Sequence, residues 1–131
     1  MIGLDTNVVV RLLTQDDTDQ LRRAKEAIGA QCSPDDPGWI NCIVLVEVIW
    51  VLSSAYRYSR REIVVAIEKL LQVRELEIQY VDEAWEALQL YRDLPADFSD
   101  YYLAAINREK GCQTTLTFDG KAGRSELFSL I

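Results

Sequence analysis

The chain has 131 residues, no histidine, and 21 acidic against 14 basic residues, for a formal net charge of −7. That length can bury a sizeable core, and 49% hydrophobic with 27% charged residues is the profile of a globular domain. The composition excludes histidine general bases, histidine metal sites and Ser-His-Asp catalysis, which leaves acid–base chemistry to carboxylates or to water acidified by a metal. The odd number of cysteines, Cys32, Cys42 and Cys112, argues against a disulfide framework or a zinc cage and suits a reducing cytoplasm.

In chain order, Ile2 to Leu4 reads as a short buried strand running into a helix start at Asp5, Thr6 and Asn7, all good N-caps. No basic leader precedes it and Asp5 would spoil a signal core, so the expected location is cytoplasmic. Val8 to Leu13 forms the first helix. Asp16 to Asp19 cap a second, with Leu21, Ala24, Ala27 and Ile28 on one face. Residues 33 to 39 are turn chemistry, and Trp39 to Asn41 is a minimal strand. Residues 43 to 56 form a central buried helix. Its apolar run, Ile43 to Leu52, is too short to cross roughly 30 Å of hydrocarbon, so no membrane span is expected.

Ser59 and Glu62 make a capping box for a helix to about Val73. Leu76 to Tyr80 is a strand, and Asp82 caps a helix to about Asp93, ended by Pro95. Asp97 opens a helix that Gly111 stops. Gln113 to Phe118 is a strand ending in Asp119-Gly120, and Leu127 to Ile131 is a last edge strand. No repeat or linker interrupts the pattern, so residues 1–131 are expected to form a single domain. Short strands separated by helices imply a parallel sheet covered on both faces, with the site outside the carboxyl ends of the strands.

That rule selects residues. Asp5 and Asp119 sit at the carboxyl ends of the first and the Thr-rich strands, and Asp100 lies in the first turn of the helix that Asp97 opens. Glu47 stands alone in the apolar run, where an ionised carboxylate is costly unless something meets it. If these four converge, their mutual repulsion calls for a cation, and oxygen ligands without His or paired Cys point to Mg²⁺ or Mn²⁺.

Three stretches, IGLDTNVVVRLL, LVEVIWVL and ADFSDYYLAAINREKGCQTTLTFDGKA, together resemble the PIN domain family, and within it the VapC-type toxins of bacterial toxin–antitoxin pairs. The resemblance implies a three-layer α/β/α sandwich with a short, mostly parallel central sheet. It implies a metal-dependent ribonuclease whose acidic quartet is Asp5, Glu47, Asp100 and Asp119. Thr6, Asn7 and Thr117 accompany the quartet, and Asp97 stands as a fifth acid. In-line hydrolysis by metal-activated water would leave 5′-phosphate and 3′-hydroxyl ends. An inhibitory antitoxin that binds DNA and a homodimeric assembly are further implications. Tyrosines at 101 and 102 depart from the smaller or aliphatic residues commoner there.

Each residue has a plainer reading. Asp5 and Asp97 are good helix caps, and Asp100 favours the helix dipole. Asp119-Gly120 is a common turn pair, and a structural Glu47 would need an arginine, for which Arg11 is the candidate. Arg57, Arg60 and Arg61 form one basic cluster, and Lys121 and Arg124 another. Both are candidate phosphate contacts or ordinary solvated surface. Trp39, Trp50 and Trp85 are assigned to core or interface, and one of Tyr101 and Tyr102 is expected to point away from the core. Two rival functions are a receiver-like phosphotransfer domain and a non-catalytic module that binds RNA or a partner. The first is weakened because Asp5 has no adjacent acid partner and residue 7 is Asn.

Overall fold

The computed structural model describes residues 1–131, which divide into two compact units, Met1–Gln79 and Tyr80–Ile131. The first unit holds α1 (Thr6–Thr14), α2 (Thr18–Gln31), β1 (Gly38–Ile40), α3 (Cys42–Ser54), α4 (Arg60–Leu71) and β2 (Leu76–Ile78). The second holds α5 (Val81–Asp93), α6 (Phe98–Lys110), β3 (Thr115–Thr117), a 3₁₀ turn at Ala122–Arg124 and β4 (Phe128–Leu130). Six helices with short parallel strand pairs make this a mixed α/β protein, consistent with the expected α/β/α class. No helix is long and apolar enough to cross a membrane, and all three cysteines are free.

In the first unit β1 and β2 pair in parallel, Trp39 opposite Glu77. The strand expected at Ile2 to Leu4 shortens to one bridge, Gly3 beside Trp39. There Leu4 N–H donates to the Trp39 carbonyl at 2.9 Å, and Trp39 N–H to the Ile2 carbonyl at 2.7 Å. Two bonds suffice to aim the chain into α1 without a longer ladder. The core is built from Val9 and Val10 of α1, Ile40 of β1, Leu45, Val48 and Leu52 of α3, and Ile63, Ile67 and Leu70 of α4. Ser59 caps α4 as expected: its hydroxyl accepts from Glu62 N–H at 3.1 Å while the Glu62 carboxylate accepts from Ser59 N–H at 2.9 Å.

Although α3 was expected to be buried throughout, it leaves one stripe outside. Ile43 is 66% and Trp50 68% exposed, with Glu47 between them, while Leu45, Val48, Ile49 and Leu52 face inward. A helix with 3.6 residues per turn that packs on one side shows a stripe to solvent however apolar its sequence. Trp50 and Trp85 are therefore not core residues. The opposite departure occurs in α2, where the apolar stripe is present but no residue is buried.

In the second unit α5 and α6 pack closely, since Ala84, Ala87, Ala104 and Ala105 are all buried. Arg108 pairs with Glu86 across the two helices. The α5 cap differs from expectation: the helix begins after Tyr80 in the left-handed region at φ 52°, with no side-chain cap. Asp82 sits inside the first turn with Glu83, where acids favour the helix dipole. Gly111 closes α6 at φ 111°, a conformation glycine adopts freely. β3 and β4 pair in parallel, Leu116 opposite Ser129.

Tyr101 and Tyr102 are both buried, against the expectation that one turns outward. Each has its own solution. The Tyr101 hydroxyl accepts from the buried Ala96 N–H at 2.8 Å, and the Tyr102 ring lies 5.1 Å from that of Phe98. Tyr101→Phe removes an acceptor from a buried N–H at nearly constant volume. The expected cost is about 1–3 kcal/mol, read from the midpoint of urea unfolding; an unchanged midpoint would refute that role for the hydroxyl.

Candidate functional site

The first unit places two of the expected acids and links them through a threonine. Asp5 is the N-cap of α1, and its Oδ1 accepts from Val8 N–H at 3.1 Å. The capping role therefore accounts for one oxygen. Next to it, Thr6 Oγ1 donates to Glu47 Oε2 at 2.6 Å. This bond fixes the carboxylate of α3 against the first turn of α1. Glu47 is met by a hydroxyl on an exposed stripe, not by a cation in the core.

Arg11, the cation considered for Glu47, is engaged elsewhere. Its Nη1 donates to the Tyr56 hydroxyl at 2.7 Å and to Asp16 Oδ1 at 3.1 Å, and its Nε donates to Gln20 Oε1 at 2.6 Å. The Tyr56 hydroxyl in turn donates to Asp16 Oδ2 at 2.9 Å. Hydrogen bonds from Thr14 and then Tyr56, with the Arg11 charge, hold the Asp16 carboxyl below its usual range. The hydrogen bond to Tyr56 leads those that raise Arg11. This clasp joins the end of α1, the start of α2 and the residues after α3. Sequence gave no sign of it, because its Tyr56 arm lies 45 residues from Arg11 and 40 from Asp16.

The second unit gathers the other acids. Asp97 is the N-cap of α6, and its N–H donates to Asp100 Oδ2 at 3.1 Å. Asp119 N–H donates to Thr117 Oγ1 at 3.0 Å, and Asp119 Oδ1 accepts from Lys121 N–H at 2.8 Å. Thr117 thus orients the backbone that carries Asp119. Asp100 is half-buried, and burial pushes its carboxyl above the usual range. The Asp97 N–H opposes that shift, while the charges of Asp97 and Asp119 add to it.

Carboxylate and hydroxyl oxygens are the donor type a hard divalent cation prefers, and burial, with the charges of Asp97 and Asp119, disfavours an ionised Asp100. No group of three or more Asp, Glu, Cys or His side chains stands in a cluster that could hold a metal ion. Among the other expected residues, Asn7 is exposed and lines a cavity between α1 and α2. Arg57 is exposed at φ 56°, Arg61 lines a groove beside α4, and Lys121 and Arg124 are exposed around the 3₁₀ turn.

The sequence model of the PIN domain family matches residues 2–124. The chain belongs to the PIN domain family. PIN domains are nuclease-type folds that act on phosphodiester bonds, and the match runs through both compact units. No curated protein matches the chain.

The raised carboxyl of Asp100 has a thermodynamic consequence in this PIN domain. An acid whose folded pKa lies above its unfolded value binds more protons when folded, so stability falls as pH rises through that interval. Asp100→Asn removes the charge and keeps an oxygen acceptor for the Asp97 N–H. In metal-free buffer the variant is expected to melt higher than wild type at pH 7. The difference should vanish near pH 3, where the wild-type carboxyl is protonated; equal melting temperatures at pH 7 would contradict this.

Proposed function

We propose that this PIN domain is a Mg²⁺- or Mn²⁺-dependent endoribonuclease, the toxin of a VapBC-type pair. The observation that carries the nuclease reading is the crowding of Asp97, Asp100 and Asp119 at the start of α6, where like charges and burial disfavour an ionised Asp100. Asp5, Glu47, Asp100 and Asp119 would hold the ion, which when bound supplies acidification of water and neutralises charge developing on phosphate oxygens. Thr6 orients Glu47 through its 2.6 Å bond. Asp97 N–H orients Asp100, and Thr117 Oγ1 orients the turn of Asp119. Lys121, Arg124 and the Arg57, Arg60 and Arg61 cluster are assigned to the RNA backbone.

Two features of the first unit support the partners in this reading. A groove of about 940 Å³ runs along α1, α2 and α4, apolar at Leu13, Ile28 and Val65, with Lys25, Arg61 and Lys69 outnumbering Glu62 and Glu75 in its lining. Its chemistry suits an amphipathic segment carrying acids, such as an antitoxin would supply. Ile43 and Trp50, exposed on α3, are assigned to a homodimer contact. Sedimentation should then give twice the chain mass, and Trp50→Arg should return it to the monomer.

The nuclease reading is tested by RNA cleavage with purified, partner-free protein. Cleavage is expected with Mg²⁺ or Mn²⁺, to be abolished by EDTA, and to fall below detection in Asp5→Asn and in Asp100→Asn. Loss in both variants would show that acids of both units serve one activity. Thr6→Val should lower activity about 10–100-fold, the usual effect of removing a group that orients a ligand. Activity that survives EDTA, or that Asp100→Asn leaves intact, would overturn the assignment.

A further inference from the structure

Beside Asp5 the first unit holds a cavity of about 380 Å³ between the N-terminal segment, α1 and α2. Leu4, Val8, Ala24 and Ile28 give it an apolar floor, and Asp5 and Arg23 are in its wall. Two features of α2 open this space. The helix buries none of its residues, and it presents alanines at 24 and 27, whose short side chains leave room. Leu21, Ala24 and Ile28 of its apolar stripe stay only half-buried against α1, which leaves a place to be filled from outside.

The two arginines of the wall differ in availability. Arg11 is held by Asp16, Gln20 and Tyr56. Arg23 has a 3.6 Å pairing with Asp19, which also serves Arg22 at 2.9 Å, and its side chain is 68% exposed. It therefore keeps donors for an anion. The amides of Asn7 and Gln20 add hydrogen-bonding groups to the wall. A flat, partly apolar group with polar edges, joined to an anion, matches this combination. A nucleotide is such a group, and only an unpaired base can leave its strand to enter.

We propose that this cavity is a nucleobase subsite: one unpaired RNA base rests on Leu4, Val8, Ala24 and Ile28, and Arg23 contacts the adjoining phosphate. The inference rests on the nuclease reading and deepens it, because Asp5 belongs both to the cavity wall and to the acids assigned to the ion. RNA would then be held next to that carboxylate by a base in a slot, and the substrate would be a single strand or a loop.

The test is a titration of ¹⁵N-labelled protein with adenosine and uridine 5′-monophosphates, with inorganic phosphate alongside. The nucleotides are expected to shift the amides of Leu4, Val8 and Ile28, and phosphate only those around Arg23. Ala24→Leu should remove the nucleotide shifts, and Arg23→Glu, at an exposed position that folding tolerates, should weaken them. Absence of shifts at Leu4, Val8 and Ile28, or the same shifts from phosphate alone, would overturn the subsite. In cleavage assays both variants should raise KM about tenfold or more, beyond any fall in kcat; an unchanged KM in both would also overturn it. A wild-type protein that cleaves no RNA would sink the nuclease reading, while the titration would still decide whether a base enters the cavity.

Discussion

Asp100 holds a half-buried carboxylate next to two others, and much else in the second unit can be read from that constraint. Burial and the charges of Asp97 and Asp119 all disfavour its ionised form, and a backbone N–H from Asp97 only partly offsets them. A domain selected for stability alone would place an amide or an apolar side chain there. The local sequence instead keeps the acid in position: Asp97 begins α6, Thr117 accepts from the N–H of Asp119, and Asp119 accepts from Lys121 N–H. These are short-range contacts that cost the chain little. They hold charged groups close without requiring their charges to be cancelled by protein.

The first unit solves a different problem with the same helix at both ends. The first turn of α1 carries Asp5 as its cap and Thr6 as the hydroxyl that holds Glu47. Its last turn carries Arg11, which takes Asp16, Gln20 and Tyr56 into one network. A cation near the carboxylates would neutralise them and compete with a metal. Committing Arg11 to the clasp leaves Glu47 with the neutral Thr6 hydroxyl as its partner. The placement of the arginine thus matters to the acids even though it does not touch Glu47.

The elements were legible in the sequence because their signals are local. The Ser59–Glu62 capping box, Gly111 past the end of α6, and Asp5 and Asp97 at helix starts all act within four residues of where they are read. The failures share a cause as well. Whether α3 shows a stripe, whether both Tyr101 and Tyr102 are enclosed, and whether Arg11 reaches Glu47 or Tyr56 depend on residues tens of positions away. Tyr80 was missed because an N-cap in the left-handed region without a side-chain bond leaves no mark in composition. For Asp5 and Asp97 the plainer reading is met, since each caps a helix, and at Asp5 the cap occupies only one of the two carboxylate oxygens.

The charge of −7 makes demands on how such a protein would hold RNA. Contacts to phosphate by Lys and Arg are what make nucleic-acid binding strong and salt-dependent. This chain's cations are outnumbered by its acids, with Arg22 and Arg92 paired to acids on their own helices. Grip would then lean on groups insensitive to screening, such as an apolar slot and amide edges, beside the phosphate contacts assigned to Arg23 and to the two basic clusters. α2 supplies that combination because it is left underpacked: its alanines open the slot and Arg23 remains loosely paired. An acidic chain that reads unpaired bases this way would gain its selectivity from shape.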